Sequence, residues 1–350
     1  MTTRNTMKKW AGGWGWVVTL SLLISLASNI LGLILPFLEI HEAFKSEVTY
    51  SLPHSVHLMW TSKLYFIAAL ILGFSIIFPF VKLASLFAAW FIPWKPSSRV
   101  TFLHWIELLG KWSFMDIFVV ILLISLTANQ SFISSNIHLG VYFFIGAITL
   151  SMIVSQIVLS MARKMVSIES TPPTYSSKRK WMVVDNHYLG WTVPVLTLLS
   201  VGALIEAIHA PFLQIHQFFL VSRTFSITSI TELLQTNNHV VLLIILVWTV
   251  ATIPLLRFLI LLVSWLIPMK IGHHIRANMF IEGLSRWSML DVFGLSLFLV
   301  ATEGKELVKT ETLPGLRAVV AAIALTYILG FVAVCLHKSV LKNESFTEAS

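Results

Sequence analysis

Residues 111–118 read KWSFMDIF and residues 286–293 read RWSMLDVF, so one pattern occurs twice, 286 − 111 = 175 residues apart in a chain of 350. Each copy places a basic residue, a tryptophan, a serine and an aspartate at the edge of a long apolar run. Only 11% of all residues are charged. The repeated pattern therefore predicts that the chain contains the same unit twice, with an ionisable group held beside apolar residues in each copy.

The repeat extends well beyond these two segments. A shift of 175 residues aligns the halves without a gap over about residues 15–140, and LPFLEIHEAF at 35–44 then lies over APFLQIHQFF at 210–219. Further matches place Pro79, Lys82, Trp90, Pro93, Lys95 and Gly140 over Pro254, Arg257, Trp265, Pro268, Lys270 and Gly315. The alignment predicts a tandem duplication of a four-helix unit.

The composition predicts an integral membrane protein. Apolar residues make up 57% of the chain, more than a soluble domain with so few charges could cover. A helix needs roughly 20 apolar residues to cross a bilayer, and eight stretches meet or approach that length. They are residues 14–38, 64–92, 114–128, 139–162, 189–208, 239–267, 287–302 and 314–337. Because the runs are continuous and do not alternate in polarity, they predict helices and exclude a transmembrane barrel.

Lysine and arginine residues are concentrated on one side of this predicted membrane. They cluster in the N-terminus, in the 2–3 and 6–7 connections, in the 4–5 linker with its segment STPPTYSSKRK, and in the tail. This asymmetry predicts that both termini are cytoplasmic, and an even number of helices per unit makes the repeats parallel. The predicted order is N-terminus, first membrane domain, linker, second membrane domain and tail: residues 1–13, 14–162, 163–188, 189–337 and 338–350. The net charge of +8 thus reports orientation and gives no sign of nucleic-acid binding.

Two basic residues lie deep in the predicted helices. Lys82 precedes Trp90 and Pro93 by eight and eleven residues, which places it roughly 12–16 Å inside the membrane, and Arg257 is its counterpart. An isolated charge there costs about 2.5–3.5 kcal/mol, so each side chain should face the bundle interior or a partner. The alternative is that each extends along its helix to the headgroups. The prolines three residues earlier predict a distortion of both helices.

The repeated segments have two compatible interpretations. In the first, Ser-x-x-Asp forms a capping box and the basic residue and tryptophan mark the membrane interface. The residues concerned are Lys111, Trp112, Ser113, Arg286, Trp287 and Ser288. In the second, Asp116 approaches Lys82, and Asp291 approaches Arg257, from a neighbouring helix. Such a carboxylate beside a buried base could bind and release protons or contact a lipid headgroup.

Other polar residues are secondary candidates. The segment RVTFLHWIELLGKW at 99–112 predicts an in-plane interfacial helix, on which Glu107, and likewise Glu282, should occupy a solvated face. His41 and His216 follow the PFL-x-I elements at the opposite membrane edge and are expected to be structural. Glu206 has no counterpart, since Leu31 stands at the matching position. The two halves are therefore expected to differ in function.

Several chemistries find no support in the sequence. The patterns GxxxxGK[ST], GxGxxG, HExxH and GxSxG are absent, and no glycine precedes the aspartates as in the Gly-x-Gly-Asp of intramembrane aspartyl proteases. Cys335 is the single cysteine, which excludes an internal disulfide and a CxxC zinc site. The sequence predicts a protein that is not an enzyme and that carries neither a metal nor another cofactor.

The duplicated [KR]-W-S-[FM]-[ML]-D-[IV]-F element, following a Pro-x-x-[KR] helix that ends in W-x-x-P, resembles the paraquat-inducible protein A family (PqiA/LetA type). The matching charged positions are Lys82, Lys111, Asp116, Arg257, Arg286 and Asp291. The resemblance implies a multi-pass protein of the inner membrane of Gram-negative bacteria. It also implies work beside a periplasmic MCE-type protein that moves lipid between the two membranes. Members usually carry cysteine-rich zinc ribbons ahead of each half, and the cysteine-free segments here depart from that pattern.

Three hypotheses follow. In the first, the protein is a membrane subunit that loads or extracts phospholipid for an MCE-type partner, driven by protonation at Asp116 and Asp291 and contributing to envelope integrity and stress tolerance. Phenylalanine-rich walls would accept acyl chains, while Lys82 and Arg257 would take an anionic headgroup or balance the aspartates. The alternatives are a stand-alone transporter for a small solute or efflux substrate, and a structural membrane anchor.

Overall fold

The computed structural model describes residues 6–42, 48–127, 133–169, 179–185, 187–217, 221–307, 310–312 and 314–347. The chain divides into two compact units, Met1–Pro173 and Thr174–Ser350, called the first and second unit below. Within the described residues, eight helices are long and apolar enough to cross a membrane, which confirms the predicted multi-pass helical fold. Spans 1 to 8 are Gly12–Ile34, Ala68–Phe91, Pro96–Leu126, Leu139–Val166, Thr192–His209, Val240–Leu266, Gly272–Thr302 and Pro314–His337.

The spans are assembled from shorter helical segments. In the first unit the α-helices are Met7–Trp10, Gly15–Ile34, Leu52–Thr61, Tyr65–Ile71, Phe78–Phe91, Pro96–Gly110, Met115–Thr127 and Leu139–Glu169, with 3₁₀ turns at Gly12–Trp14 and Lys111–Phe114. In the second unit they are Met182–Asp185, His187–Gly190, Thr192–His209, Ile227–Thr236, Val240–Leu246, Ile253–Leu266, Ile271–Trp287, Leu290–Leu307 and Pro314–Thr347.

Prolines set the ends of four spans. Spans 1 and 2 stop before Leu35 and Ile92, whose ψ angles of 150° and 137° are extended and which each precede a proline. Ala210 and Ile267 end spans 5 and 6 in the same way, with ψ of 133° and 129°. The proline ring disfavours the helical conformation of the residue before it, so the sequence fixes these boundaries locally.

Each unit carries a small antiparallel sheet at the end of the bundle where its first span stops. The strand order is Val48–Tyr50, Leu38–Glu42, Ile133–Ile137 in the first unit and Val221–Phe225, Leu213–Gln217, Thr310–Thr312 in the second. A two-stranded ribbon also pairs Arg179–Lys180 with Met269–Lys270. The expectation of an all-α fold was therefore wrong in this detail. The alternation of apolar and polar residues in LEIHE and LQIHQ is the signal for the central strands.

The structure of span 3 differs from a second expectation, that residues 99–112 form an in-plane interfacial helix. The helix Pro96–Gly110 continues through a 3₁₀ turn with helical backbone angles at Gly110 and Lys111 into Met115–Thr127. It is therefore part of span 3 and does not form a separate in-plane helix. In the second unit the path is interrupted at Ser288, whose ψ is 107°, and resumes at Leu290. The corresponding spans thus differ in their continuity.

The predicted distortion of spans 2 and 6 is a π-helical turn. These turns are Leu72–Ile77 and Val247–Thr252, at corresponding positions directly before the prolines. The Phe78 N–H donates to the Gly73 carbonyl, five residues earlier, and Pro79 has no N–H to offer. Consequently the Phe74 carbonyl lacks a donor from its own helix. The second unit repeats this arrangement, because Ile253 donates to Trp248 and Pro254 follows.

Gly140 and Gly315 mark the closest backbone contacts of spans 4 and 8. The Gly140 N–H donates to the Pro36 carbonyl at 3.1 Å, and the Gly315 N–H donates to the Pro211 carbonyl at 2.9 Å. A Cβ atom at residue 140 would lie 2.5 Å from the Pro36 oxygen, and residue 315 leaves equally little space. Glycine at both positions allows each span to start against the segment that follows the first span of its unit.

We expect Gly140→Ala and Gly315→Ala each to lower the free energy of unfolding by about 1–3 kcal/mol, because the added methyl group forces the backbones apart. Thermal unfolding of the full chain in detergent measures the effect. The matched control is Gly146→Ala in the same span as Gly140, where a Cβ atom would meet nothing within 4 Å. Alanine at 140 that proves as stable as alanine at 146 would contradict this account.

Candidate functional site

Lys82 lies inside the first unit. Its side chain is 2% exposed, and its Nζ donates to the Ser151 Oγ on span 4 at 3.0 Å. Gly110 of span 3 is packed against it, since a Cβ there would lie 3.0 Å from Nζ. Glu107, also 2% exposed, interacts with it electrostatically. The lysine therefore faces the bundle interior, and the alternative of a side chain extending over the lipid-facing surface does not apply.

Glu107 is buried by the packing of span 3. Residues on one face of the helix Pro96–Gly110 are buried at helical spacing, namely Arg99, Leu103, Glu107 and Gly110. This helix packs against spans 2 and 4. The expectation of a solvated Glu107 was wrong, because the segment is part of a span and its acidic residue points into the bundle. Its counterpart Glu282 is exposed.

Asp116 lies in the same unit as Lys82 but at a different position along the helix bundle. It is 5% exposed, and its carboxyl group faces the hydroxyl of Ser75 on span 2. Ser75 precedes Lys82 by seven residues, which corresponds to about 10 Å along a helix. The expected pairing of Asp116 with Lys82 is thus corrected. Lys82 is engaged with Ser151 and Glu107, whereas Asp116 lies beside the π-helical turn.

In the second unit the acid and the base do interact. The Arg257 guanidinium interacts electrostatically with Asp291 and with Tyr327. The Tyr327 hydroxyl donates to Asp291 Oδ2 at 2.6 Å, and Asp291 Oδ1 accepts from the Val292 N–H at 3.0 Å. The guanidinium lies against Gly330, where a Cβ would be 3.3 Å from its Nη2. Spans 6, 7 and 8 therefore contribute one residue each to a charged cluster.

Span 3 satisfies the carbonyl that the π-helical turn leaves without a donor. The Ser113 hydroxyl donates to the Phe74 carbonyl at 3.3 Å, so the serine joins two spans. In the second unit the Met289 N–H, exposed by the break at Ser288, donates to Thr249, the counterpart of Phe74, at 3.1 Å. Both units thus connect the π-helical turn to the repeated segment by different donors.

The remaining candidates lie around these clusters. Lys111, Trp112, Arg286 and Trp287 are half-buried, and the Trp112 ring is 6.1 Å from that of Phe74. Glu206 is exposed. The backbones of His41 and His216 lie in the central strands, but their side chains lie outside the described part of the structure. The part of the chain that the structure describes contains no group of three or more His, Cys, Asp or Glu residues able to hold a metal ion.

Sequence reasoning missed three participants: Tyr327, Ser151 and Ser75. Tyr327 has Met152 as its counterpart, so the repeat comparison gave it no weight. A tyrosine within an apolar run was the available signal for it. The two serines are small polar residues that occur in many membrane helices, and only their contacts distinguish them.

The two units use their ionisable residues differently. The first buries four charged side chains, those of Lys82, Arg99, Glu107 and Asp116, to 5% exposure or less. In the second, Arg257 and Asp291 are half-buried, and Tyr327 is 57% exposed on the surface of the unit. The second cluster is therefore open to molecules around the protein, whereas the first is enclosed.

The eight apolar spans found among the described residues define a multi-pass helical membrane protein, and in each of its two units an acidic residue interacts with a basic one. The family model for paraquat-inducible protein A matches residues 15–161 and 192–333. The chain belongs to this family and contains two tandem copies of its domain. No curated protein and no solved structure matches the chain.

Proposed function

We propose that this protein is the inner-membrane subunit of an intermembrane lipid-transport system, loading or extracting phospholipid for a periplasmic MCE-type partner. The observation that supports the proposal best is the presence of a base at corresponding positions of both units, Lys82 and Arg257, each of which interacts with an acidic residue. Ionisable residues inside a membrane protein are costly, and they commonly mark substrate or proton pathways. Membership of the family favours lipid as the cargo.

The open cluster of the second unit is the proposed headgroup site. Arginine binds phosphate through paired N–H donors, and Arg257 lies beside the exposed Tyr327 on span 8. Asp291 competes with a phosphate for the same guanidinium. Protonation of Asp291 would therefore free Arg257 to bind an anionic headgroup, and deprotonation would displace the lipid. This exchange is the proposed coupling of lipid movement to protons.

The proposed orientation follows from the distribution of basic residues, with both termini in the cytoplasm and the two repeats, offset by 175 residues, running parallel. The small sheets at the opposite end of each bundle would then face the periplasm. Their position makes them the proposed contact for the periplasmic partner, which would receive or deliver lipid there.

We expect the full-length protein, cross-linked in cells and purified in mild detergent, to retain a periplasmic MCE-type protein and bound anionic phospholipid. Arg257→Gln should lower the bound phospholipid about tenfold, a loss that corresponds to about 1.4 kcal/mol of binding free energy. Quantitative lipid extraction measures this ratio. The control is Arg317→Gln, which removes the same charge from an exposed position of span 8.

A lone particle without a periplasmic protein, and with equal lipid in both variants, would contradict the proposal. That result would favour the stand-alone transporter of a small solute. Loss of lipid without a partner would retain lipid as the cargo and remove only the MCE-type protein.

A further inference from the structure

Four oxygen groups lie in or beside the π-helical turn of the first unit. Asp116 faces Ser75, and the Phe74 carbonyl accepts from the Ser113 hydroxyl. Asp116 is 5% exposed, Ser75 0% and Ser113 2%. Carboxylate, hydroxyl and carbonyl groups thus lie on the surfaces through which spans 2 and 3 pack together, with Asp116 against Ser75 and Ser113 against the adjacent Phe74.

Two of these groups are incompletely satisfied. Asp116 Oδ2 and Ser75 Oγ are buried and face each other, but among the described residues neither makes a well-formed hydrogen bond. A buried carboxylate oxygen and a buried hydroxyl in this state are both unfavourable. The Phe74 carbonyl has a second lone pair beyond the one that accepts from Ser113. The cluster therefore offers oxygen ligands that the protein itself does not fully use.

The second unit shows why this arrangement is specific to the first. Asp291 there interacts with Arg257 and accepts from Tyr327, so protein groups supply its positive charge and its donor. The counterpart of Ser75 is Val250, which has no oxygen in its side chain. In the first unit, Lys82 is engaged with Ser151 and Glu107 about two turns away. The Asp116 cluster thus combines more oxygen ligands with a carboxylate whose expected base lies elsewhere.

We propose that the first unit binds a sodium ion at this cluster, with the Asp116 carboxylate and the Ser75 hydroxyl as ligands and the Phe74 carbonyl and the Ser113 hydroxyl nearby to complete its oxygen shell. Hard cations prefer oxygen ligands, and irregular helices that free backbone carbonyls are suited to hold sodium within a membrane. A proton competes with sodium for the same carboxylate. The role of this site in transport rests on the proposed function. The inference deepens that function by naming sodium, besides the proton, as an ion that Asp116 binds.

Thermal unfolding of the purified full chain in detergent tests the site. At pH 8.5 and constant ionic strength, sodium chloride should raise the Tm by a few degrees, in a saturable manner, relative to choline chloride and potassium chloride. Ser75→Ala should raise the sodium concentration for half of this effect at least tenfold, and Asp116→Asn should abolish the effect. Ser125→Ala is the matched control, because Ser125 is also a buried serine of the first unit and donates to Ile121 within its own helix.

Equal Tm values in sodium and choline would overturn the sodium site and leave the proton as the ligand of Asp116. A sodium response that survives in Ser75→Ala unchanged would also overturn it, even if Asp116→Asn does not fold. A larger response to potassium than to sodium would do the same. This measurement requires neither lipid nor a partner, so failure of the ion site and failure of lipid transport can be distinguished.

Discussion

Asp291→Asn is expected to reduce phospholipid transfer between the two membranes about tenfold or more, with normal amounts of protein in the membrane. The substitution keeps the size of the side chain and its ability to accept from Tyr327, but it removes the negative charge that opposes Arg257. Without that charge the guanidinium would retain a phosphate headgroup at every stage, since nothing displaces it. The tenfold effect corresponds to about 1.4 kcal/mol in the free energy of displacing the headgroup from Arg257.

Pulse labelling of phospholipid in cells under outer-membrane stress, followed by separation of the membranes, measures this transfer. Tyr327→Phe is the matched control, because it removes the hydroxyl that donates to Asp291 and leaves both charges in place. It should retain most of the transfer, since a single hydrogen bond contributes about 0.5–1.5 kcal/mol to stability. Wild-type transfer in the Asp291→Asn strain would count against coupling through protonation.

Lys82→Met is expected to destabilise the protein by about 1–3 kcal/mol and to abolish transport, because it removes the donor to the buried Ser151 hydroxyl and the base that interacts electrostatically with the buried Glu107. The Tm of the full chain in detergent and the phospholipid transfer in cells are the two measurements. A structural anchor, by contrast, would gain stability from methionine at this position and would keep its function. The control Lys95→Met removes a lysine from the exposed start of the helix that follows span 2 and should leave the Tm unchanged.

The double variant Lys82→Met, Glu107→Gln separates stability from function. Neutralising both interacting groups should recover part of the lost stability, since removing two opposite buried charges costs less than removing one of them. Transport should remain absent, because the base has been removed. Recovery of transport in the double variant would show that Lys82 serves only the packing of the first unit.

The sequence by itself was sufficient to predict the membrane-spanning helices and the positions of the ionisable residues along them. Long apolar runs, and prolines that force Leu35, Ile92, Ala210 and Ile267 out of the helix, are local properties that neighbouring residues determine. The pattern repeated at residues 111–118 and 286–293 also identifies both aspartates, because it depends on the sequence alone. The small sheets were not predicted, because Ile133–Ile137 pairs with Leu38–Glu42 across about half of a unit.

The tertiary structure alone decided which groups meet. Lys82 and Arg257 stand at matching positions, yet the first donates to Ser151 and interacts electrostatically with Glu107, whereas the second interacts with Asp291 and Tyr327. The partner of a side chain inside a bundle depends on the rotation and relative depth of neighbouring helices. Those quantities are set by packing over many residues, and a change of one counterpart, such as Met152 for Tyr327, gives equivalent positions different surroundings.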